Sequence, residues 1–368
     1  MASKIRVADL FSGCGGLSNG FWRNSKYKHV LASDVWEQAK KTYELNYKNS
    51  KFLIADLKND ADKNELVSNL LGNVDLIMGG PPCKGFSTLN NSRKISEFNS
   101  LVDRFFDIID EVSPKIFLME NVRGFKSKKH ISGKTYSEHV KHRIDLFDNK
   151  YLYLDFVLDT YDFGIGQKRK RYFLVGFLEN NFHPSVLDKF EKNLASKKSE
   201  NKLNLRDCIG DLPDVPVRMG SDEMSLPDGS TLYNHKSMNH SAKLEERFKH
   251  VPDGGGLMDV PVHLLTNHLK KVVEGGYGSG GFKKNIYGRM KWDEPSGTIL
   301  AGMDKITVGR FLHPKNNRLL TPRECARIQS FSDDFVFTGG MVSQYYQIGN
   351  AVPPKLSQVF AESIAEAI

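Results

Sequence analysis

The 368-residue sequence has few cysteines, no long apolar run and no internal repeat. Its four cysteines, Cys14, Cys83, Cys208 and Cys325, form no C-x-x-C pair, which argues against a zinc site and a disulfide framework. No stretch approaches the ~18 consecutive apolar residues that a membrane helix requires, and the first residues have no secretory signal pattern. We therefore expect a cytoplasmic protein with free thiols and no membrane contact.

Neither hydrophobic nor charged residues dominate the composition, at 39% and 26% respectively. These fractions are typical of a globular chain, and the length suffices for a large core and a second, smaller unit. Acidic residues are in deficit, because 52 lysines and arginines face 44 aspartates and glutamates, which gives a net charge of +8. A positive surface favours a polyanionic partner such as nucleic acid.

Short apolar runs alternate with amphipathic stretches through the first 178 residues. This alternation predicts an α/β fold with a doubly wound, mostly parallel sheet. In such a sheet, ligands bind beyond the carboxyl ends of the strands, where the strand order reverses. We divide the chain into an α/β domain at 1–179, a smaller loop-rich domain at 180–305, and a C-terminal segment at 306–368 that returns to the first domain.

The first predicted strand runs into DLFSGCGGLSNGF, where Gly13, Gly15 and Gly16 open a predicted helix. Glycines let the backbone approach a ligand, although many such turns use glycine for packing alone. The G-x-G-G spacing departs from the dinucleotide fingerprint, and the turn has no phosphate-binding lysine. Asp34 and Asp56 end the next two strands, where they can accept hydrogen bonds from a ribose and an adenine amine. S-adenosylmethionine fits these features better than NAD or ATP.

Cys83 follows an apolar strand, two glycines and two prolines in LIMGGPPCKGFST. A free cysteine is most often a small buried hydrophobe, but a structural one would normally lie within the apolar run. The prolines fix the backbone before the thiol, and Lys84 or a nearby helix N-terminus can raise its thiolate fraction. Glu120 ends the next strand, in KIFLMENV. We therefore predict that Cys83 is a nucleophile beside an acid.

Six segments resemble, in order, the motifs of the DNA (cytosine-5)-methyltransferase family, of the bacterial or phage modification type. They are DLFSGCGGLS, GGPPCKGFS, ENV, FGIGQKRKRYFLVG, RLLTPRECARIQSFSDDF and QIGNAVPP. One departure is Gly166, which stands where the family commonly has proline and predicts a looser turn. The resemblance implies methyl transfer from S-adenosylmethionine to C5 of a flipped-out cytosine in a specific double-stranded DNA sequence.

The resemblance also implies roles for individual residues. Cys83 would add to C6 of the cytosine, since C5 is a poor nucleophile until C6 is attacked. Glu120 would protonate or hydrogen-bond the ring, and Arg169 and Arg171 would orient the base, the acid or the thiol loop. No metal is needed for this chemistry. The implied cofactor-binding residues are Asp9, Phe11, Ser12, Gly13, Gly15, Gly16, Asp34, Val35, Asp56, Leu57, Pro81, Asn350 and Val352.

The resemblance makes 1–179 the catalytic and cofactor-binding domain and 180–305 the target-recognition domain. Gly-rich loops bearing Arg, Lys, Asn and Gln suit groove reading. We expect a monomer that binds double-stranded DNA, with a cognate restriction endonuclease as a candidate partner. Two alternatives are an RNA methyltransferase on the same fold and an inactive nucleic-acid-binding relic. The sizeable middle region disfavours the first, and the intact cysteine, glutamate and cofactor acids disfavour the second.

Overall fold

The computed structural model describes residues 3–82, 95–274 and 285–368, and the side chains of 95–99 are not part of that description. Cys83 and Lys84 lie outside the described residues. The chain divides into two compact units. The first comprises Met1–Phe163, Lys170–Glu200 and Ala351–Ile368, and the second comprises Gly164–Arg169 and Asn201–Asn350.

A seven-stranded sheet in the order β3-β2-β1-β4-β5-β7-β6 forms the centre of the first unit. Strands β1 to β5 are parallel, and β7 runs antiparallel to both of its neighbours. The prediction of a mostly parallel α/β sheet is therefore confirmed. The strands are β1 (Ile5–Leu10), β2 (Tyr27–Asp34), β3 (Lys51–Ile54), β4 (Leu76–Gly79), β5 (Ile116–Val122), β6 (Tyr151–Asp159) and β7 (Lys170–Leu178).

Helices connect these strands and cover the sheet. They are α1 (Gly16–Trp22), α2 (Glu37–Asn46), α3 (Asp60–Leu70), α4 (Ile95–Val112), α5 (Tyr136–Leu146), α6 (Ser185–Ser196) and, from the C-terminal segment, α12 (Pro354–Ala367). Two single 3₁₀ turns, Arg123–Lys126 and Thr160–Phe163, follow β5 and β6.

Burial explains why the central strands are continuous apolar runs. Residues 76–78 of β4 and 116–119 of β5 are at most 1% exposed, as expected for parallel strands covered on both faces. On α4, Phe105, Phe106 and Ile109 are fully buried. Burying each such side chain contributes about 1.5–3 kcal/mol, so this packing fixes β4 and β5 within the sheet.

The strand order reverses between β1 and β4. From β1 the chain proceeds to β2 and β3 on one side, and β4 then returns to the other side of β1. The carboxyl ends of these parallel strands share one edge of the sheet, where such folds bind their ligands. The glycine turn after β1, Asp34 of β2 and the strand end that leads to Cys83 all lie at this edge.

The C-terminal helix α12 packs against α1 in the first unit. A Cβ at Gly20 would lie 2.0 Å from the nitrogen of Gln358, so only glycine permits this approach. The Gly20 N–H donates to Ser357 Oγ (3.0 Å), and the Tyr27 hydroxyl donates to the Ala361 carbonyl (2.7 Å). The N-terminal strands are therefore joined to the last residues of the chain.

The second unit contains a two-stranded hairpin and short helices. They are α7 (Leu205–Ile209), β8 (Gly220–Ser225), β9 (Thr231–Lys236), α8 (Ala242–Lys249), 3₁₀ turns Leu257–Asp259 and Val262–Leu264, α9 (Asn267–Glu274), α10 (Pro322–Ile328) and α11 (Met341–Asn350). Buried arginines connect the loops between them. Arg289, for example, donates to the Val251 carbonyl (2.8 Å), the His313 carbonyl (2.6 Å) and Asn317 Oδ1 (2.7 Å).

The compact units divide the chain at different residues from the domains expected above. Helix α6, within 180–305, belongs to the first unit, where Asn193 donates to the Ser363 carbonyl of α12 (3.5 Å). Residues 306–350 belong to the second unit together with Gly164–Arg169. The functional assignment of 1–179, 180–305 and 306–368 remains a prediction. Among the described residues, the helices are too short or too polar to cross a membrane.

Candidate active site

The turn after β1 has an unusual backbone that its glycines permit. Gly13 and Gly15 have φ values of +53° and +91°, and Phe11 also has a positive φ of +57°. Left-handed conformations of this kind favour glycine. The Ser12 N–H donates to the Ser33 carbonyl (3.0 Å), which fixes the turn to β2. The turn therefore presents its backbone at the carboxyl edge of the sheet.

Aromatic side chains of α2 and the segment after it support this turn from behind. A Cβ at Gly15 would lie 2.3 Å from the Tyr47 ring and 2.9 Å from the Tyr43 ring. The Tyr47 hydroxyl donates to the Gly15 carbonyl (2.6 Å). A Cβ at Gly16 would lie 2.4 Å from the Val352 carbonyl oxygen. Gly15 and Gly16 are therefore required for packing as well as for backbone exposure.

Asp34 ends β2 and holds the turn through its carboxylate. Its Oδ2 accepts from the Gly13 N–H (2.9 Å), and its Oδ1 accepts from the Trp36 N–H (2.9 Å). Burial raises the pKa of Asp34, and these backbone donors oppose that rise. Each oxygen keeps a further lone pair for a ligand hydroxyl. Beside it, Val35 leaves 61% of its surface exposed, which is a high fraction for an apolar residue at a strand end.

Asp56 lies just beyond β3 and next to β2. The Ala55 N–H donates to the Asp34 carbonyl (3.1 Å), which aligns the two strand ends. Asp56 is exposed, and its Oδ1 accepts from the Lys58 N–H (3.1 Å). The following residue, Leu57, is 3% exposed and anchors this segment in the core. The structure thus brings both predicted carboxylates to the edge that holds the glycine turn.

Three buried polar atoms around the turn have no hydrogen-bond partner among the described residues: Asp9 Oδ1, Ser12 Oγ and Ser33 Oγ. Unsatisfied buried groups are costly, so such a cluster indicates a place that a polar ligand completes. Burial also raises the pKa of Asp9 to about 7, although Ser18 donates to its Oδ2 (2.5 Å) and opposes the rise. These donors and acceptors fit an adenosine-bearing cofactor with a charged amino-acid part.

Glu120 and Arg171 form an ion pair at the same edge of the sheet. Arg171 Nε lies 3.0 Å from Glu120 Oε1, and both side chains are largely buried. A Cβ at Gly80 would lie 3.2 Å from Glu120 Oε2, so the strand end that leads to Cys83 passes directly beside this carboxylate. The predicted acid therefore lies next to the start of the predicted nucleophile loop.

Asn121 is a site residue that the sequence analysis did not single out. It is 2% exposed, and its Nδ2 donates to the Pro81 carbonyl (3.2 Å). This bond holds the first residues of the loop that carries Cys83. The sequence feature that could have identified Asn121 is its position directly after Glu120 at a strand end. Tyr43 of α2 and Tyr47, the residue that follows this helix, were also missed, although two aromatic residues four apart in a helical pattern indicate a shared face.

Arg169 and Asn350 belong to the second unit. Arg169 is 2% exposed, and its Nη1 donates to the carbonyls of Ile299 (2.9 Å) and Gly349 (3.0 Å). Asn350 is the last residue of α11 and is exposed. The catalytic role of Arg169 and the cofactor role of Asn350 remain predictions.

Comparisons with known proteins give a consistent result. The sequence profile of C-5 cytosine-specific DNA methylases matches residues 5–366. The type II methyltransferase M.DdeI of Desulfomicrobium norvegicum is 33% identical, over 98% of this chain and 88% of that protein. The type II methyltransferase M1.HphI of Haemophilus parahaemolyticus is also 33% identical, over 98% of this chain and 86% of that protein.

Solved structures share the fold. A protein encoded within an E. coli prophage, described as a DNA modification methyltransferase, superposes with a TM-score of 0.72 at 22% identity, over 98% of this chain and 99% of the other. The Dnmt2 methyltransferase of S. pombe superposes with a TM-score of 0.60 at 18% identity, over 99% of each chain. Both likenesses extend over nearly the whole chain.

Proposed function

This chain belongs to the C-5 cytosine-specific DNA methylase family, and we propose that it methylates one cytosine within a specific duplex sequence through a covalent adduct of Cys83. It is a DNA (cytosine-5)-methyltransferase that uses S-adenosylmethionine. The family match covers residues 5–366 and thus favours DNA over the RNA alternative and an active enzyme over a relic. The covalent chemistry, the extrusion of the base and the residue roles are the proposed part.

The chemistry of cytosine requires a nucleophile and an acid. The Cys83 thiolate adds to C6, which makes C5 nucleophilic, and Glu120 donates to N3 as charge builds on the ring. Bound S-adenosylmethionine supplies the methyl group that C5 attacks. A base or an ordered water takes the C5 proton, Cys83 leaves C6 as a thiolate, and N3 returns its proton to Glu120, which restores the aromatic ring. Arg171, 3.0 Å from Glu120, orients the carboxyl group for this task.

The observation that carries the proposal is the convergence at one edge of the sheet. Glu120 lies beside Gly80, and Asn121 holds Pro81, so the chain is fixed just before Cys83. The glycine turn and Asp34 lie at the end of β1 and β2 on the same edge. Asp34 would accept from the ribose, Asp56 from the adenine amine, and Val35 would provide an apolar surface for the base.

The test uses duplex DNA that carries 5-fluorocytosine at the methylated position. Fluorine blocks loss of the C5 substituent, so the wild-type enzyme should accumulate a covalent complex that survives denaturation. Cys83→Ala should form none and transfer no labelled methyl, yet bind S-adenosylmethionine normally. Cys208→Ala, which removes a thiol in the second unit, is the matched control and should behave as wild type. An active Cys83→Ala variant contradicts the mechanism.

Because C6 of a stacked cytosine cannot be reached by a side chain, we propose that the target base rotates out of the duplex. Unstacking costs a few kcal/mol, which stacking and hydrogen bonds in the pocket offset. Duplexes with 2-aminopurine at the target should show increased fluorescence when enzyme binds, and no increase when 2-aminopurine lies several base pairs away. Equal signals from both positions would contradict extrusion of the target.

We further propose that 180–305 reads the DNA sequence and that the enzyme works as a cytoplasmic monomer. The type II names of the relatives support a modification enzyme with a cognate restriction endonuclease. Bisulfite sequencing of DNA from cells expressing the chain should find one modified cytosine in a short fixed motif. Methylation scattered over unrelated contexts would contradict a specific reader, and light scattering would reveal a dimer.

A further inference from the structure

A strongly basic segment follows the strand that carries Glu120. Between Glu120 and Glu138 the chain has no acidic residue. The same stretch contains five lysines and arginines, which are Arg123, Lys126, Lys128, Lys129 and Lys134. A run of this kind is often a solvated loop without a function. Its local structure and its position indicate a binding function in this protein.

Residues 128–135, which we call the basic hairpin, have a defined backbone. Lys129 and Thr135 form an antiparallel bridge. The His130 N–H donates to the Lys134 carbonyl (2.8 Å), and the Gly133 N–H donates to the His130 carbonyl (3.0 Å). Gly133 has a φ of +83°, which a glycine adopts without strain at the tip of a turn. These hydrogen bonds therefore give the basic hairpin a defined conformation.

Side chains of α4 and α5 anchor the base of the hairpin. The His130 ring stacks on the His139 ring with centroids 3.7 Å apart. His139 Nε2 lies 2.8 Å from Asp103 Oδ1 on α4, and Arg143 Nη1 donates to the same oxygen (2.8 Å). These contacts tie the hairpin to two helices of the core, so little further ordering is needed when a partner binds.

The tip of the hairpin exposes an apolar residue between cations. Ile131 is 92% exposed, the highest fraction among the exposed large hydrophobic residues of the described chain. Lys129 and Lys134 on either side are also exposed. Among the residues that the structure describes, neither lysine forms a salt bridge, although Lys134 interacts electrostatically with the exposed carboxylate of Glu138. Apolar tips flanked by exposed cations are suited to a groove lined with phosphates.

The position of the basic hairpin agrees with this chemistry. It follows Val122, the last residue of β5, through the turn Arg123–Lys126, whose Phe125 is fully buried. The carboxyl ends of β1 to β5 share one edge, so the hairpin extends from the edge that holds Glu120. A duplex whose cytosine reaches that carboxylate must pass along the same edge.

We propose that the basic hairpin is a DNA-contact element of the first unit. Lys129 and Lys134 bind phosphates, and Ile131 lies against the sugars or base edges of a groove. The inference rests on the proposed function, since it takes the duplex substrate as its partner. It adds a contact surface outside the region 180–305 that we propose as the sequence reader, so it contributes affinity and not sequence choice.

The first test compares two double variants that each remove two positive charges. Lys129→Ala/Lys134→Ala removes the flanking lysines of the hairpin. Lys4→Ala/Lys48→Ala removes exposed lysines before β1 and β3, at the opposite edge of the sheet. Each phosphate contact contributes ~0.9 to the magnitude of the slope of the logarithm of the DNA-binding constant against the logarithm of the salt concentration. The slope of the hairpin variant should therefore be smaller in magnitude by about 1.8, and the slope of the control variant should be almost unchanged.

The second test examines the apolar tip. Ile131→Ala should weaken duplex binding by roughly three- to tenfold, because three buried carbon atoms are lost from the contact. Leu146→Ala, which truncates a leucine that is 69% exposed at the end of α5, is the matched control and should leave binding unchanged. Thermal melts of all variants should coincide with wild type, since the substituted side chains are exposed.

The outcomes separate the two proposals. If the wild-type enzyme methylates DNA and the hairpin variant keeps the wild-type salt slope, the proposed DNA contact of the hairpin is contradicted and the catalytic mechanism is not. Wild-type enzyme that forms no adduct with 5-fluorocytosine overturns the mechanism, whatever the hairpin variants do. If the salt slope of DNA binding falls equally in the hairpin variant and the control variant, net charge acts without a defined contact. That result also contradicts the proposed DNA contact of the hairpin.

Discussion

At the scale of single residues, Gly166 shows how a departure from a family pattern can have a local cause. The sequence analysis interpreted this glycine, in place of proline, as a looser turn. In the structure a Cβ at Gly166 would lie 2.1 Å from Cys208 Sγ. The Gly166 N–H also interacts with that sulfur, and a proline has no such donor. The glycine is therefore matched to Cys208, and the turn is closely packed.

We expect Gly166→Ala to destabilise the protein by about 1–3 kcal/mol, the typical effect of overpacking. Cys208→Ala should remove most of this penalty, because the neighbours that remain, the Asn204 carbonyl oxygen at 3.5 Å and the Cβ of residue 208 at 3.7 Å, are in ordinary van der Waals contact with the new methyl. A double-mutant cycle from urea unfolding gives the coupling between the two positions. Additive effects of the two substitutions would contradict the packing explanation.

We expect Asp9 to make the affinity for the cofactor depend on pH. Its pKa of about 7 means that it is largely protonated below neutrality, and a cationic ligand favours the ionised form. Affinity for S-adenosylmethionine should therefore rise with pH between about 5 and 8, by up to roughly tenfold per unit below the pKa, and then level off. Calorimetry in two buffers should detect proton release near pH 6, and Asp9→Asn should remove it. An unchanged profile in Asp9→Asn would mean that another group titrates.

At the scale of elements, α10 shows how a helix start can be fixed by a buried ion pair. Thr321 caps the helix by accepting from the Glu324 N–H, and Glu324 Oε2 accepts from the Thr321 N–H (2.7 Å). Arg318, which is fully buried, contacts both oxygens of Glu324 at 2.7 and 2.8 Å. Burial acts to raise the pKa of Glu324, but Arg318 outweighs it and holds the pKa at about 2.

We expect Glu324→Gln to destabilise the enzyme by about 3–5 kcal/mol, because it leaves Arg318 buried without its counter-charge. The wild-type carboxylate contributes its stability above pH ~4.5, and the contribution is lost as pH falls towards 2, since the folded pKa lies below the unfolded one. Melting temperatures between pH 7 and 3 should show this loss in wild type and a smaller slope in the variant. Equal slopes would exclude Glu324 as a source of acid sensitivity.

The elements of the sheet were predictable because each depends on a local pattern. Apolar runs gave β4 and β5, and the carboxylates Asp34, Asp56 and Glu120 were recognised because they directly follow such runs. Contacts between distant residues leave no such pattern. The bond from Asn121 to Pro81 and the packing of Gly166 on Cys208 depend on how the chain closes in space, so the sequence alone did not predict them.

At the scale of the whole molecule, neither compact unit is continuous in sequence. Residues 164–169 leave the first unit and join the second, where the Lys168 N–H donates to the Ser296 carbonyl (2.9 Å). Amino-acid composition indicated a change of character near residue 180, but composition cannot show which compact unit a helix packs against. Helix α6 belongs to the first compact unit although it follows this change in composition, and the predicted functional boundary at 179/180 remains a prediction.

The division of the chain into two compact units predicts which chimeras will fold. Exchange of 180–305 with a relative separates Arg289 from its acceptors His313 and Asn317, and it separates α6 from α12. Exchange of 164–169 together with 201–350 keeps these contacts within one parent. We expect the second chimera to be soluble with a melting temperature within a few degrees of its parents, and the first to be markedly less stable. Circular dichroism melts decide between them, and equal stability would contradict the division.

The packing of α12 on α1 has a consequence for synthesis on the ribosome. Gly20 and Ser357 are in contact, so α1, which begins in the glycine turn, acquires its buried neighbour only after nearly the whole chain has emerged. A nascent chain that has exposed the first strands but not residues 351–368 lacks the support for Gly16 that Val352 provides. The order of translation therefore delays completion of the glycine turn until residues 351–368 have emerged.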